Sequence, residues 1–508
     1  MKHLLPKIML LTIAVAVVGC STGMSDYESG GYYPGYSEDY SGGDNFTDYG
    51  ENGFIDTAAQ PNSTFSVDAD GASYAVMRAY LNKRGTLPPA AAVRVEEMIN
   101  YFTYDYPGPE AGHTVGLSHE LTQCPWAPDN LLLRVGLKGQ EIAPEEMPAN
   151  NYVFMVDVSG SMNSYDKLDL LKEGLRALAE CLSERDRVSL VTYSGEVKVL
   201  LEGVAGNDYP TISAAISKLN ANGVTNGGDA LVKAYELARV CYIEGGNNRV
   251  IIGTDGDFNV GMTSHEEIVA FIEGQLEHNI YLSVMGFGLG NLNDSMMEQM
   301  AAHGNGTYDY IDSKEQMLKV YINERSRLLA VAKDTKVQVG FNPEVVGKWR
   351  LVGYENRVMS EEDFEDTKKD AGEIGAGQTI TALYELIPAV RTQERTEGGA
   401  VGNLATCRVN YKEAASGADL SLELPVESEA VALSDASSEI KWAASVAAMG
   451  MLTRNSEYKG EATVEMVLDL ADEGVVGPSV QRADPHHYRI QHLALLDVWS
   501  SCLRNKNR

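Results

Sequence analysis

Cysteine is scarce in this chain, with six among 508 residues and none in a C-x-x-C pair. Setting Cys20 aside leaves Cys124, Cys181, Cys241, Cys407 and Cys502. They are scattered and odd in number, which argues against a complete disulfide framework. Cys181 and Cys241 fall in amphipathic helical runs and read as core residues. Basic residues are also few: Lys and Arg total 41 against 72 Asp and Glu, a formal net charge of −31. So anionic a surface repels nucleic acid phosphates and anionic lipid headgroups, which excludes nucleic acid as a partner. Past the N-terminus no apolar run is long enough to cross a bilayer. Catalytic signatures are missing as well. No G-x-S-x-G elbow surrounds a Ser. GFGLGN, residues 286–291, lacks the Lys of a P-loop and the full G-x-G-x-x-G, and reads as the turn after a strand. His486, His487 and His492 lack the i, i+4 spacing of H-E-x-x-H and have no nearby Cys, so they read as surface or helix-cap residues.

What is present starts at the N-terminus. Lys2, His3 and Lys7 precede the apolar run 8–18, which leads into VVGC at Cys20. A basic start and an apolar stretch of this length make a secretory signal, too short to span a membrane. Gly19-Cys20 resembles the lipobox of bacterial lipoproteins, with Val17 where Leu is usual. That resemblance implies cleavage before Cys20 and diacylglycerol on its sulfur. The expected location is the bacterial cell envelope, lipid-anchored and extracytoplasmic, periplasmic or at the surface. Residues 20–62 are rich in Gly, Ser, Tyr, Asp and Asn and poor in aliphatics, and read as a disordered tether.

The most informative stretch is NYVFMVDVSGSMNS, residues 151–164. Residues 152–156 are apolar on both faces, as in a parallel strand covered by helices. The strand ends on Asp157, Ser159 and Ser161 in the order D-x-S-x-S. One carboxylate and two hydroxyls suit a hard divalent cation and fill only part of its shell. Two downstream segments can supply more. NGVTNGGDAL sets Thr225 in a Gly-flanked turn before a helical run. RVIIGTDGDFNVG is a second apolar strand ending on Thr254, Asp255, Gly256 and Asp257, and spacing alone does not choose between the two acids. The competing reading is that Asp157 and Ser159 cap the following helix.

These residues resemble the von Willebrand factor A domain and its metal-ion-dependent adhesion site. Matched position by position, the resemblance implies Asp157, Ser159, Ser161, Thr225 and Asp255 as the metal site, with Asp257 a neighbour. It implies Mg2+, or Mn2+ or Ca2+, with one coordination position left for a Glu or Asp of a protein partner.

The pattern along residues 151–329 alternates strands with helices, among them a helix at 167–182 carrying Leu168, Leu171, Leu175, Leu178 and Leu182. The expected fold class is α/β, a doubly wound, mostly parallel sheet, with an added β-rich and helical C-terminal region. Both acidic segments lie at strand C-ends, where such sheets bind ligands. Residues 1–19 are expected as the signal peptide, 20–62 as the tether, 63–150 as an N-terminal extension and 330–508 as a β-rich, then helical domain. The extension, and YENR and TALYE in the last part, resemble one group of bacterial von Willebrand factor A lipoproteins. The leading expectation is a non-enzymatic, metal-dependent protein-binding lipoprotein. The alternatives are a metal-assisted hydrolase or phosphatase, which lacks a positioned His, Lys or Arg general acid in sequence, and a structural envelope lipoprotein with a stabilising ion.

Overall fold

The apolar run at the head of the D-x-S-x-S motif becomes the central strand of a sheet because its side chains alternate between two apolar layers. In the computed structural model, which describes residues 43–506 apart from 68, 69, 144, 224–227, 257–264 and 390–401, this strand is β1 (Asn150–Asp157). Tyr152, Phe154 and Val156 face one layer, while Val153 and Met155 face the other. The other strands are β2 (Arg187–Tyr193), β3 (Val197–Ala205), β4 (Asn247–Thr254), β5 (Ile280–Phe287) and β6 (Tyr308–Ile311). Among the described residues the sheet order is β6-β5-β4-β1-β2-β3. All neighbours are parallel except β3, which runs antiparallel to β2. The doubly wound α/β expectation holds.

Helix α1 (Leu170–Glu180) and α2 (Tyr209–Ile216) cover one face. There Leu171, Leu175, Leu178, Ile212 and Ile216 pack against Phe154 and Val156. Helices α3 (Gly228–Val240), α4 (His265–Leu276) and α5 (Asp294–His303) cover the other. Leu231, Ala234, Ile268, Ile272 and Met300 meet Val153, Met155, Val250 and Ile252 there. Each fully buried Leu or Ile contributes on the order of 2 kcal/mol.

Strands before and after this unit build one β-sandwich. In one antiparallel sheet Leu131–Gly139 lies between Val115–Gln123 and Thr379–Pro388, with Val346–Val352 and Ile55–Asp56 beyond. In the other, Ala330–Phe341 pairs with Ala405–Glu413, Gly372–Gly375 and Asn62–Ser66, and Asp419–Val426 closes an edge. Val115, Leu133, Val135, Val337, Val339, Ile380 and Val409 share the core between them. The hairpin ahead of the parallel sheet therefore pairs edge to edge with a strand 251 residues later at Leu133 opposite Tyr384, and buries its apolar face against the facing sheet. An isolated hairpin cannot bury such a face by itself. A third core gathers Val95–Asn100, Ser438–Arg454, Val464–Gly474 and Tyr488–Lys506 around Trp126, Trp442 and Trp499.

Four expectations need correction or bounding. Residues 43–62, read as the end of a disordered tether, lie against the folded body. Asn45 N–H donates to Leu292 O (2.7 Å), Asp294 N–H donates to Asn45 O (3.1 Å), Phe46 packs on the sheet core, and Ile55 pairs with Trp349. A few side chains and backbone bonds anchor this segment although its composition is polar. The signal peptide and Cys20 lie outside the described residues. Cys181 is exposed and Cys241 half-buried, because both sit just past the last turn of a helix, where its buried stripe has ended. His492 is not a surface residue. It is fully buried, its Nδ1 hydrogen-bonds the Tyr74 hydroxyl (2.8 Å), and its ring meets Phe102 and Trp442 edge-on.

Burial depresses the His492 imidazole from its ordinary 6.5 to about 3. Because the folded value is the lower one, only the unfolded chain binds this proton between those limits. Stability contributed by His492 is therefore intact above pH 6.5 and erodes as the pH falls, by up to about 1.4 kcal/mol per pH unit. Urea unfolding across this window should show that slope as the difference between wild type and His492→Gln. Parallel curves for the two proteins would refute it.

Candidate functional site

Strand order creates the site. β1 lies beside β4, and the chain goes from β1 toward β2 on one side but from β4 toward β5 on the other, so the loops after β1 and β4 open onto one crevice. Asp157 ends β1 with no exposed surface. Its Oδ1 accepts the Ser159 N–H (2.8 Å), and its Oδ2 accepts the Thr254 hydroxyl from the end of β4 (3.2 Å). The Ser159 and Ser161 hydroxyl oxygens lie 2.9 Å apart, one donating to the other. Gly160–Met162 forms a tight 3-10 turn, and Ser159 makes no side-chain cap bond to it. The helix-cap alternative thus finds no support in Ser159.

A second loop is laced to the first. Asn222 N–H donates to Val158 O (2.7 Å), and Gly160 N–H donates to Gly223 O (3.1 Å). This loop leads directly to Thr225, which lies outside the described residues, as does Asp257.

Asp255 follows β4, fully buried. Its Oδ2 accepts from the Lys167 ammonium (2.9 Å). That ammonium also donates to Ser161 O (3.0 Å) and Asn291 Oδ1 (3.0 Å). Lys167 and Asn291 are the contacts that sequence reasoning missed. The absence of a positioned Lys, held against the hydrolase alternative, does not hold in space. Asp255 Oδ1 is buried and has no hydrogen-bond partner among the described residues. Two glycines make room. Gly288 (φ +69°) lies under the Lys167 stem, which a Cβ would strike. Gly256 (φ +106°) follows Asp255 and presses on the backbone of Asn293.

The electrostatics follow from burial. Desolvation pushes the Asp157 carboxyl up to about 6, and the nearby Asp255 charge pushes the same way, while bonds from Ser159 and Thr254 oppose it. A carboxylate so placed gains from a cation beside it. Among the described residues no three His, Cys, Asp or Glu gather to hold an ion. An ion here would depend on hydroxyl oxygens and water, which is the chemistry of Mg2+, Mn2+ or Ca2+. The Asp255 oxygen without a partner among the described residues and the paired serine hydroxyls fit such a group.

Comparison with known proteins agrees with this architecture. Residues 152–257 match the von Willebrand factor type A domain, and residues 41–134 match a family described as von Willebrand factor. Residues 326–501 match the family described as uncharacterized protein YfbK, C-terminal. The uncharacterized protein YfbK of Escherichia coli (strain K12) is 35% identical over 477 residues, spanning 89% of this chain and 80% of that protein. The chain belongs to the YfbK family of von Willebrand factor A proteins. The chain is also similar to human (Homo sapiens) inter-alpha-trypsin inhibitor heavy chain H3, 27% identical over 289 residues. That match covers 51% of this chain and 31% of the inhibitor chain, about a third of its length. Among solved structures, von Willebrand factor type A from Catenulispora acidiphila aligns over 74% of this chain and 91% of its own, at 16% identity and a TM-score of 0.41. The ArnB paralog VWA2 from Sulfolobus acidocaldarius covers 77% and 98%, at 15% identity and 0.37.

The site demands glycine at residue 256. Gly256→Ala should cost roughly 1–3 kcal/mol, since φ +106° is foreign to a residue with a Cβ and the added atom meets Asn293. Urea unfolding measures the loss, and an unchanged midpoint would contradict it.

Proposed function

We propose that this chain is a lipid-anchored, extracytoplasmic binding protein that captures a protein partner through a divalent cation held at the ends of β1 and β4. One observation carries the reading: a fully buried Asp255 oxygen has no partner among the described residues, on a carboxylate that lies close enough to Asp157 for their charges to interact and that shares the Lys167 ammonium with Ser161 O. Asp157, Ser159, Ser161 and Asp255, with Thr225 from the adjoining loop, would hold Mg2+, Mn2+ or Ca2+. When bound, the ion supplies an electrophilic position for a Glu or Asp of the partner. The neutral hydroxyls keep inner-shell negative charge low. The Thr254 hydroxyl and the Ser159 N–H fix the rotamer of Asp157. Membership in a von Willebrand factor A family supports a role in protein interaction. Cys20 is the proposed point of lipid attachment, and no helix among the described residues is long and apolar enough to cross a membrane.

Lys167 revives the hydrolase alternative only in appearance. An ammonium has three donors, and here they go to Asp255, Ser161 and Asn291. None is left for a leaving group.

The test is a pull-down from envelope extracts with Mg2+ and with EDTA. Capture should require Mg2+ and should fall at least tenfold, about 1.4 kcal/mol, in Asp157→Ala with the fold retained. Capture that survives both EDTA and this substitution would end the reading.

A further inference from the structure

Lys167 stands where the sequence reading had no cation. Its side chain is only 11% exposed, and all three donors point at oxygens of the crevice. Its stem lies over Gly288, and Asn291 of the same loop accepts one of its bonds. This is a built position, not a surface lysine resting on an acid.

Count the formal charges of the three side chains. Asp157 and Asp255 bring two negatives and Lys167 one positive. A divalent ion entering this set leaves one excess positive charge, in a place where water cannot screen it well. A partner carboxylate then returns the set to neutrality. Without Lys167 the order reverses: the ion alone neutralises the two aspartates, and a third carboxylate adds an unbalanced negative charge.

The geometry points to Lys167 as a specificity-determining residue that makes cation binding conditional on an acidic ligand. It rests on the divalent-cation reading above and deepens it. The ammonium satisfies Asp255 while no partner is present and weakens the ion's hold. The ion and an incoming carboxylate then bind cooperatively, so the site engages fully only when both are there. Lys167 touches neither ligand in this account. It acts through the charge and position of Asp255, and the test must separate that from simple structural support.

The full chain, as wild type, Lys167→Met and Lys167→Arg, is titrated with Mn2+ and read by EPR, with and without saturating acetate as the carboxylate. Melting curves in EDTA confirm that each variant is folded. In wild type, acetate should tighten Mn2+ binding several-fold. Lys167→Met should bind Mn2+ roughly tenfold more tightly without acetate, as removal of a like charge at contact distance requires, and should gain nothing from acetate. Lys167→Arg, which keeps the charge, should follow wild type. Wild-type Mn2+ binding that acetate leaves unchanged would overturn the inference without need of any variant. So would a folded Lys167→Met that binds Mn2+ no tighter than wild type. Failure of all three proteins to bind Mn2+ would overturn the cation reading itself, and this inference with it.

Discussion

Two carboxylates buried at the ends of neighbouring parallel strands are the constraint on which the crevice depends. β1 and β4 pair in register, so Asp157 and Asp255 cannot move apart without breaking the centre of the sheet. In a low-dielectric interior their charges oppose each other, and each needs compensation. Asp157 finds it in a backbone N–H and the Thr254 hydroxyl, and Asp255 in the Lys167 ammonium. The neighbouring loops serve these partners. Gly288 clears the path of the Lys167 stem, Asn291 shares its ammonium, and Gly256 lets the chain turn directly after Asp255.

The surrounding scaffold holds those loops from outside the A domain. The strand Leu131–Gly139 precedes β1 and Ala330–Phe341 follows the last helical turns, and both belong to one sandwich. The A domain is therefore gripped at both ends of its chain. Buried charge sets the orientation at the junction. Arg94 reaches Asp294 at the head of α5 (2.6 Å), and Arg78 reaches Asp312 beyond β6 (2.6 Å). Such pairs add little net stability because both partners must be desolvated, but a wrong docking would leave a buried charge unpaired. The segment near residue 45 adds to this. Asp44 accepts from the N–H groups of Gly290 and Leu292, on either side of Asn291. This stretch, expected as part of the tether, thus pins the loop that shares the Lys167 ammonium.

Much of this was legible in the chain. Apolar runs at 152–156 and 250–252 announced central strands, and the acids at their ends announced a crevice, because period and burial are local signals. Lys167 was not legible for a physical reason. A helical pattern begun at residue 167 puts Lys167 one turn ahead of Leu171, at the margin of the apolar stripe, where nothing local marks it as a crevice residue. In the structure residues Tyr165–Asp169 form a wider π-type turn before α1 begins, and the side chain turns back into the crevice. His492 was hidden differently. Its burial depends on Tyr74, Phe102 and Trp442, and nothing near it in sequence reports partners 50 to 418 residues away. The sandwich was legible as strands but not as pairing, since the hairpin at 115–139 carries no mark of its partners at 379–388.

The choice of oxygen donors explains how the loops of such a crevice hold together. A cluster of carboxylates would repel itself and hold the loops apart. Hydroxyls can satisfy one another, as Ser159 and Ser161 do across 2.9 Å, and Thr254 can spend its proton on Asp157. Each of these groups therefore has a local partner ready, and the loops after β1 and β4 are tied to each other before any ligand arrives. The exception is Asp255 Oδ1, which finds no such partner among the described residues. Leaving a buried carboxylate oxygen unpaired costs folding free energy. A fold stable enough to bear that cost at one atom, while satisfying the groups around it, keeps that atom available for the proposed cation and would spare the crevice from rearranging to receive it.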